Sequence, residues 1–304
     1  MPHPIYYYDR ISKKLCKEKV YGIRVLTLLY GENKITKYLA KIILVLITRW
    51  SFFSAIYGYF QKRPSSKKKI TPFIKTFELD ASEFLSQPDN FKSFNDFFTR
   101  KLKPSCRPIT PDPESLCIPA DARYLVKTSI KLNQEIWVKN KSLNMSQLLG
   151  NEHLAQAYIG GDLVIARLCP TDYHRFHSPA SGKLSPALYL KGSWQSVNPI
   201  ATKQNINIFS ENKRFLLSLH TSLFGTILYI PIAATNVGSI RFTFNQINIQ
   251  KGEEIGFFSF GASSIIMLIP PNKINLDKDL IANSLKNYET RALLGQNLAS
   301  LIKK

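Results

Sequence analysis

"FFSFGASSIIMLI", residues 257–269, carries the apolar side chains of a buried strand, yet Gly261-Ala262-Ser263-Ser264 interrupt it with two small residues and two hydroxyls. Similar short runs lie around it: "DLVIARL" (162–168), "GTILYIPIAA" (225–234), "GSIRFTF" (238–244) and "INIQ" (247–250). Gly, Pro, Asn and Ser turns separate them, which is the pattern of strands rather than helices. From about Leu116 to Pro270 the chain therefore predicts a β-rich domain, an antiparallel barrel or sandwich. Helical stretches come before it. Asp80 is one start signal, and Ser93 with Asp96 in "SFNDFFTRKL" (93–102) has capping-box spacing. The predicted class is α+β: N-terminal amphipathic helices followed by a β-rich domain.

The chain has 304 residues, with 41 Lys and Arg against 21 Asp and Glu, a formal charge of +20. Such a field favours anionic partners, whether nucleic acid, anionic lipid head groups or acidic substrates. Four cysteines without a C-x-x-C pair argue against a disulfide scaffold or a zinc ribbon. No secretory signal is visible at the N-terminus.

Residues 1–62 read as helical. Their most apolar stretch is 39–60, "LAKIILVLITRWSFFSAIYGYF". It is long enough to span a bilayer, but Arg49 would sit near mid-membrane at a cost of a few kcal/mol. A helix in the membrane interface fits better, with Trp50, Phe52, Phe53, Tyr57 and Tyr59 at head-group depth. The alternative is a helix packed on the protein's own core. Lys62, Arg63, Lys67, Lys68 and Lys69 follow, a basic cluster suited to an anionic surface. "RPSSKKK" (63–69) reads as a linker, dividing 1–69 from 70–304.

Three groups of residues carry chemistry. "PTDYHRFHSPASG" (170–182) follows a strand and brings His174 and His177, which suit acid/base work, metal ligation or neither. "CIPADARYLV" (117–126) sets Asp121 at the mouth of a strand, where it can orient a histidine or simply cap a turn. In the opening stretch, small residues before Ser263 let its hydroxyl approach the preceding carbonyl. An N→O acyl shift there, followed by elimination, would cut the chain and leave a pyruvoyl group. A strand crossing that needs small side chains is the alternative.

Together these stretches resemble the phosphatidylserine decarboxylases. The likeness is carried, in order, by "SFNDFFTRKLKPSCRPI" (93–109), "PADARYLV" (119–126), "TDYHRFHSPASGKL" (171–184), "GSWQSVNPIA" (192–201), "ENKR" (211–214), "AATNVGSI" (233–240) and "KGEEIGFFSFGASSIIML" (251–268). The resemblance implies self-cleavage between Ala262 and Ser263, giving a large chain of 1–262 and a small chain of 263–304 that remain together. It implies a triad of Asp121, His177 and Ser263 for that cut. Ser263 would become a covalent pyruvoyl group and the Schiff-base site for the serine amine, with no metal or diffusible cofactor. His174 would assist decarboxylation or the return of the proton. The implied reaction turns phosphatidylserine into phosphatidylethanolamine and CO2. The implied partner is an anionic phospholipid membrane and not nucleic acid, with the enzyme peripheral on the cytoplasmic face of the cell membrane and a homodimer left open. Two positions depart from the family: leucine-glycine-serine-threonine is here Gly261-Ala262-Ser263-Ser264, and Ala122 stands where a glycine is usual. Rival readings are a basic binding module, a serine hydrolase using Ser263, and a zinc hydrolase built on the two histidines.

Overall fold

Ile265, Ile266, Met267, Leu268 and Ile269 follow one another without a polar residue because the strand they form, Ser263–Ile269, is buried on both faces. Burying each of these side chains contributes about 2 kcal/mol. The computed structural model describes residues 4–21 and 58–303, apart from 132–135, 139–140, 194, 203–204, 234–239 and 262.

In chain order the strands that shape the site are β1 (Tyr6–Asp9), β2 (Lys14–Lys17), β3 (Ala122–Lys127), β4 (Asp162–Leu168), β5 (Arg175–His177), β6 (Gly182–Leu184), β7 (Arg214–Thr221), β8 (Gly225–Ala233), β9 (Ile240–Phe242), β10 (Asn248–Ile249), β11 (Glu254–Phe258), β12 (Ser263–Ile269) and β13 (Glu289–Ala292). The large sheet runs β10-β6-β7-β8-β12-β4-β3-β13-β1-β2, with Leu188–Leu190 beside β7. Its pairings are antiparallel except that of β1 with β13. A second, three-stranded sheet has the order β9-β11-β5.

Alternation along β12 divides the core. Ile265, Met267 and Ile269 face one cluster, which also holds Phe176 of β5 and Phe258 of β11. Ile266 and Leu268 face another, closed by Met145, Leu148, Leu149 and Phe209 from short helices. The small sheet therefore covers one face and helices cover the other. The fold is α+β and sandwich-like, and the large sheet does not close into a barrel.

The helices α1 (Ile70–Phe77) and α2 (Phe94–Phe98) build a third, aromatic cluster of Phe73, Phe84, Phe91, Phe94, Phe97 and Phe98 around Phe260. The capping signals act as the spacing predicts. Ser93 accepts from the Asp96 amide at 3.2 Å, and Asp80 accepts from the Ser82 amide at 2.9 Å.

Two expectations for the N-terminal region need correction. Residues 6–17 are not helical: β1 and β2 form a hairpin on the edge of the large sheet. Its turn is held by Asp9, whose carboxylate accepts from the amides of Ile11 and Ser12 at 3.1 and 2.8 Å. The backbone groups of β1 bond to β13, a partner that local periodicity does not reveal. "RPSSKKK" is also more than a linker. Pro64–Lys69 forms a 3₁₀ helix whose Ser66 is buried, bonding to the Arg63 and Gln61 carbonyls and accepting from the Phe94 amide. The predicted interfacial helix at 39–60 lies outside the described residues except for Gly58, Tyr59 and Phe60; Tyr59 and Phe60 are exposed. Among the described residues no helix is long and apolar enough to cross a membrane.

Candidate active site

Register brings distant segments to one end of the large sheet. Arg123, Arg167 and Ser264 stand in one row across β3, β4 and β12. Asp121, just before β3, and Ser263, at the start of β12, thus share that end. They are separated by two strand spacings, about 10 Å. Ser263 has the parity of Ile265 and Met267, so it faces the β5–β11 layer. Ser264 faces the opposite core.

Both hydroxyls are fully buried, and neither Oγ has a hydrogen-bond partner among the described residues. Leaving a buried hydroxyl unsatisfied costs about 1–3 kcal/mol. The unsatisfied hydroxyl at 263 is therefore carried at a cost to stability. Gly261 just upstream has φ +146°, a conformation that side-chain-bearing residues rarely adopt. Ala262 lies outside the described residues.

β5 and the loop before it deliver the histidines. The His174 carbonyl accepts from the Phe258 amide at 2.9 Å, which ties this residue to the segment leading into Gly261. Its ring is fully buried, 3.9 Å from the ring of Phe98 in α2. Nδ1 lies 3.0 Å from the Asp172 carbonyl. A carbonyl only accepts, so Nδ1 carries the proton in the neutral ring, and Nε2 makes no hydrogen bond that meets the usual geometry among the described residues. Burial lowers the His174 pKa to about 4, against the opposing pull of the Asp172 carbonyl and charge and the Gly261 carbonyl.

His177 pairs across from Glu254, at the far end of β11. Its Nδ1 lies 2.9 Å from the Gly252 carbonyl, and its Nε2 has no partner among the described residues. Gly252 holds φ +80°, and a Cβ there would meet Ile109 at 2.6 Å, so the turn that presents this carbonyl requires glycine. The Tyr173 ring stacks on His177 at 5.9 Å. Burial lowers the pKa of His177, while the Gly252 carbonyl and the charges of Glu254 and Asp121 raise it.

Asp121 was expected to orient His177 by a hydrogen bond. In the structure the orienting acceptor is the Gly252 carbonyl. The Asp121 carboxylate is taken up by Arg107, through Nε at 3.0 Å and Nη2 at 2.7 Å, and by the Leu294 amide at 2.8 Å. Asp121 acts on His177 through its charge.

Sequence reasoning gave no role to the arginines around this end of the sheet. Arg107 joins Asp121 to Glu83, Arg123 pairs with Asp172, and Arg167 bridges Glu18 and Glu289. Their signal was present: Arg100 and Arg107 lie in "SFNDFFTRKLKPSCRPI", and Arg123 in "PADARYLV". Among the described residues no group of three or more His, Cys, Asp or Glu is arranged to hold a metal.

Comparison with known proteins adds an independent finding. The sequence model of the family described as phosphatidylserine decarboxylase matches residues 94–299. A phosphatidylserine decarboxylase proenzyme of Chlamydia pneumoniae is 41% identical over 294 residues, covering 96% of each chain. Those of Clostridium kluyveri and Clostridium botulinum (strain 657 / Type Ba4) are 40% and 38% identical. They cover 97% of this chain and 98% and 99% of their own lengths, respectively.

Proposed function

Because the chain belongs to the phosphatidylserine decarboxylase family, we propose that this enzyme of phospholipid biosynthesis removes CO2 from phosphatidylserine through a pyruvoyl group made from its own Ser263. The observation that carries this reading is the Ser263 hydroxyl: buried, without a partner among the described residues, at the first residue of the central strand and two residues after a glycine at φ +146°.

Self-cleavage needs only the chain's own groups and water. The Ser263 Oγ attacks the carbonyl carbon of residue 262, and the amide becomes an ester with the amine of residue 263 released. Loss of the Cα proton and of the 262 carboxylate leaves dehydroalanine, whose imine tautomer takes up water and loses ammonia. The products are 1–262, ending in a carboxylate, and 263–304, beginning with pyruvoyl. A base must accept the Oγ proton, and both histidines offer a bare Nε2. In our reading His177 is that base. The charge of Asp121 favours its protonated form, and the Gly252 carbonyl holds its tautomer. A second reading, with His174 as the base, is favoured by its backbone bond to Phe258 and the nearby Gly261 carbonyl.

The pyruvoyl carbonyl supplies an electron sink for the substrate amine as CO2 departs. The residues fit it: Ser263 lies between β4 and β8, and the Phe98 ring of α2 packs at 4.8 Å on Phe260, three residues before Ser263. His174, neutral in the physiological range, is the group we assign to moving the proton at the substrate Cα.

Membrane association is part of the proposal. Exposed Tyr59 and Phe60 sit beside Arg63 and the 67–69 lysines, on a chain of charge +20, which supports peripheral binding to the anionic cytoplasmic face of a cell membrane. Intact-mass analysis tests the central claim. Two chains split before residue 263 are expected, the smaller with a blocked end, and Ser263→Ala should give one inactive chain. Full activity from an unbroken chain would overturn it.

A further inference from the structure

A cavity of about 320 Å³ opens beside this end of the sheet, within the range of small-ligand sites. Arg100, Arg107, Arg123 and Arg291 line it, together with Asp121 and Tyr173. Three of the four guanidinium groups are neutralised. Arg107 is held by Glu83 and Asp121, Arg123 by Asp172 and Glu18, and Arg291 by Asp9.

Arg100 differs. It is 5% exposed, and among the described residues its Nε and Nη1 have no partner. Nη2 donates to the carbonyls of Thr171 and Asp172 at 3.2 and 3.4 Å. The rings of Phe84 and Phe97 lie 5.0 and 4.9 Å from the guanidinium carbon and exclude water from it. The acidic groups around it, Asp121, Asp172 and Glu83, are already committed to other arginines. Burial lowers the Arg100 pKa to about 10 despite their charges. A buried guanidinium with two unsatisfied nitrogens is a costly arrangement unless an anion completes it.

We propose that Arg100 is the subsite for the phosphodiester of the lipid head group. This rests on the phosphatidylserine reading above and names the residue that grips the substrate. Two arguments select the phosphodiester over the carboxylate. The carboxylate loses its charge as CO2 leaves, so a guanidinium on it would hold the ground state more tightly than the transition state. The phosphodiester keeps its charge throughout, and its oxygens can accept from the separate N–H groups of Nε and Nη1. The placement also fits. Arg100 follows α2, whose Phe98 touches His174, and the Arg100 charge is felt by the His174 ring.

The test uses the full-length matured enzyme with phosphatidylserine in detergent micelles, and calorimetric titration with sn-glycero-3-phosphoethanolamine and with inorganic phosphate. Arg100→Gln should still split into two chains, because self-cleavage needs no phosphate. Its KM should rise at least tenfold with kcat within about threefold, and diester binding should be lost. Arg100→Lys should restore part of the affinity, and it decides the matter if the glutamine variant does not mature. Wild-type KM and diester binding in a matured variant would overturn the proposal. Equal binding of inorganic phosphate and diester would show a general phosphate site and overturn the head-group assignment. If the wild type binds the diester through Arg100 but releases no CO2 from phosphatidylserine, the functional reading fails and this subsite stands.

Discussion

Arg107 grips Asp121 at 2.7 Å through Nη2 while Nη1 and Nη2 reach Glu83 at 3.0 Å, so a single guanidinium ties the start of β3 to the segment ahead of α2. The side chains of Arg107 and Asp121 are 8% and 5% exposed. Breaking a buried pair by removing one partner costs about 3–5 kcal/mol. Arg107→Met should therefore lose about that much stability in urea titration at neutral pH. It should also mature slowly, because the charge that favours protonated His177 is no longer held in place. Unchanged stability would show that water replaces the guanidinium.

The two histidines separate by assay. With His177 as the base for the cut, His177→Ala should remain one chain on a denaturing gel, while His174→Ala should split and show kcat reduced at least a hundredfold. The reverse pattern, His174→Ala uncut and His177→Ala cut, would assign the base to the residue beside Phe258 and Gly261.

His174 also makes stability depend on pH. Its folded-state pKa of about 4 lies below the ordinary 6.5, so the unfolded chain binds more protons between those values. Stability should be complete above pH 6.5 and fall as pH drops from 6.5 to 4, by roughly 3 kcal/mol from this group. Urea titrations at pH 7 and 4.5 of the wild type and His174→Gln check this. The variant should lose less stability over that interval, and an equal loss would assign the pH dependence to other groups.

Arg167 joins the segment after the N-terminal hairpin to β13. Its Nη2 lies 2.6 Å from both Glu18 and Glu289, and all three side chains are 4–6% exposed. Arg167→Met would bring two carboxylates together in the core without the cation between them. A loss of about 3–5 kcal/mol at pH 7 is expected, with partial recovery at pH 5 as a carboxylate takes up a proton. Thermal unfolding at the two pH values measures it.

Much of this molecule is written locally. The strand runs from 162 to 269 follow from apolar runs between turn residues, and the α2 cap follows from Ser93 and Asp96. Ser263 and the two histidines stand out through their ordered motifs. The hairpin at 6–17 was not legible, because β1 finds its hydrogen bonds on β13, nearly three hundred residues away. The acceptor that holds His177 was not legible for a related reason: Arg107 takes the Asp121 carboxylate and the Gly252 carbonyl takes the imidazole, pairings that no spacing rule counts. Arg100 looked like one more charge in a basic chain. Only its enclosure by Phe84 and Phe97 makes its missing partner informative.

By itself the sequence determined which residues can react and which runs must be buried, since hydroxyls, imidazoles and apolar periodicity are properties of neighbours along the chain. The tertiary structure decided which partner each polar group obtains, which nitrogen of each histidine stays bare, and which arginine is left to bind an anion. Those outcomes depend on desolvation and on strand register. Both arise only when residues from β3, β4, β5 and β12 are packed against one another.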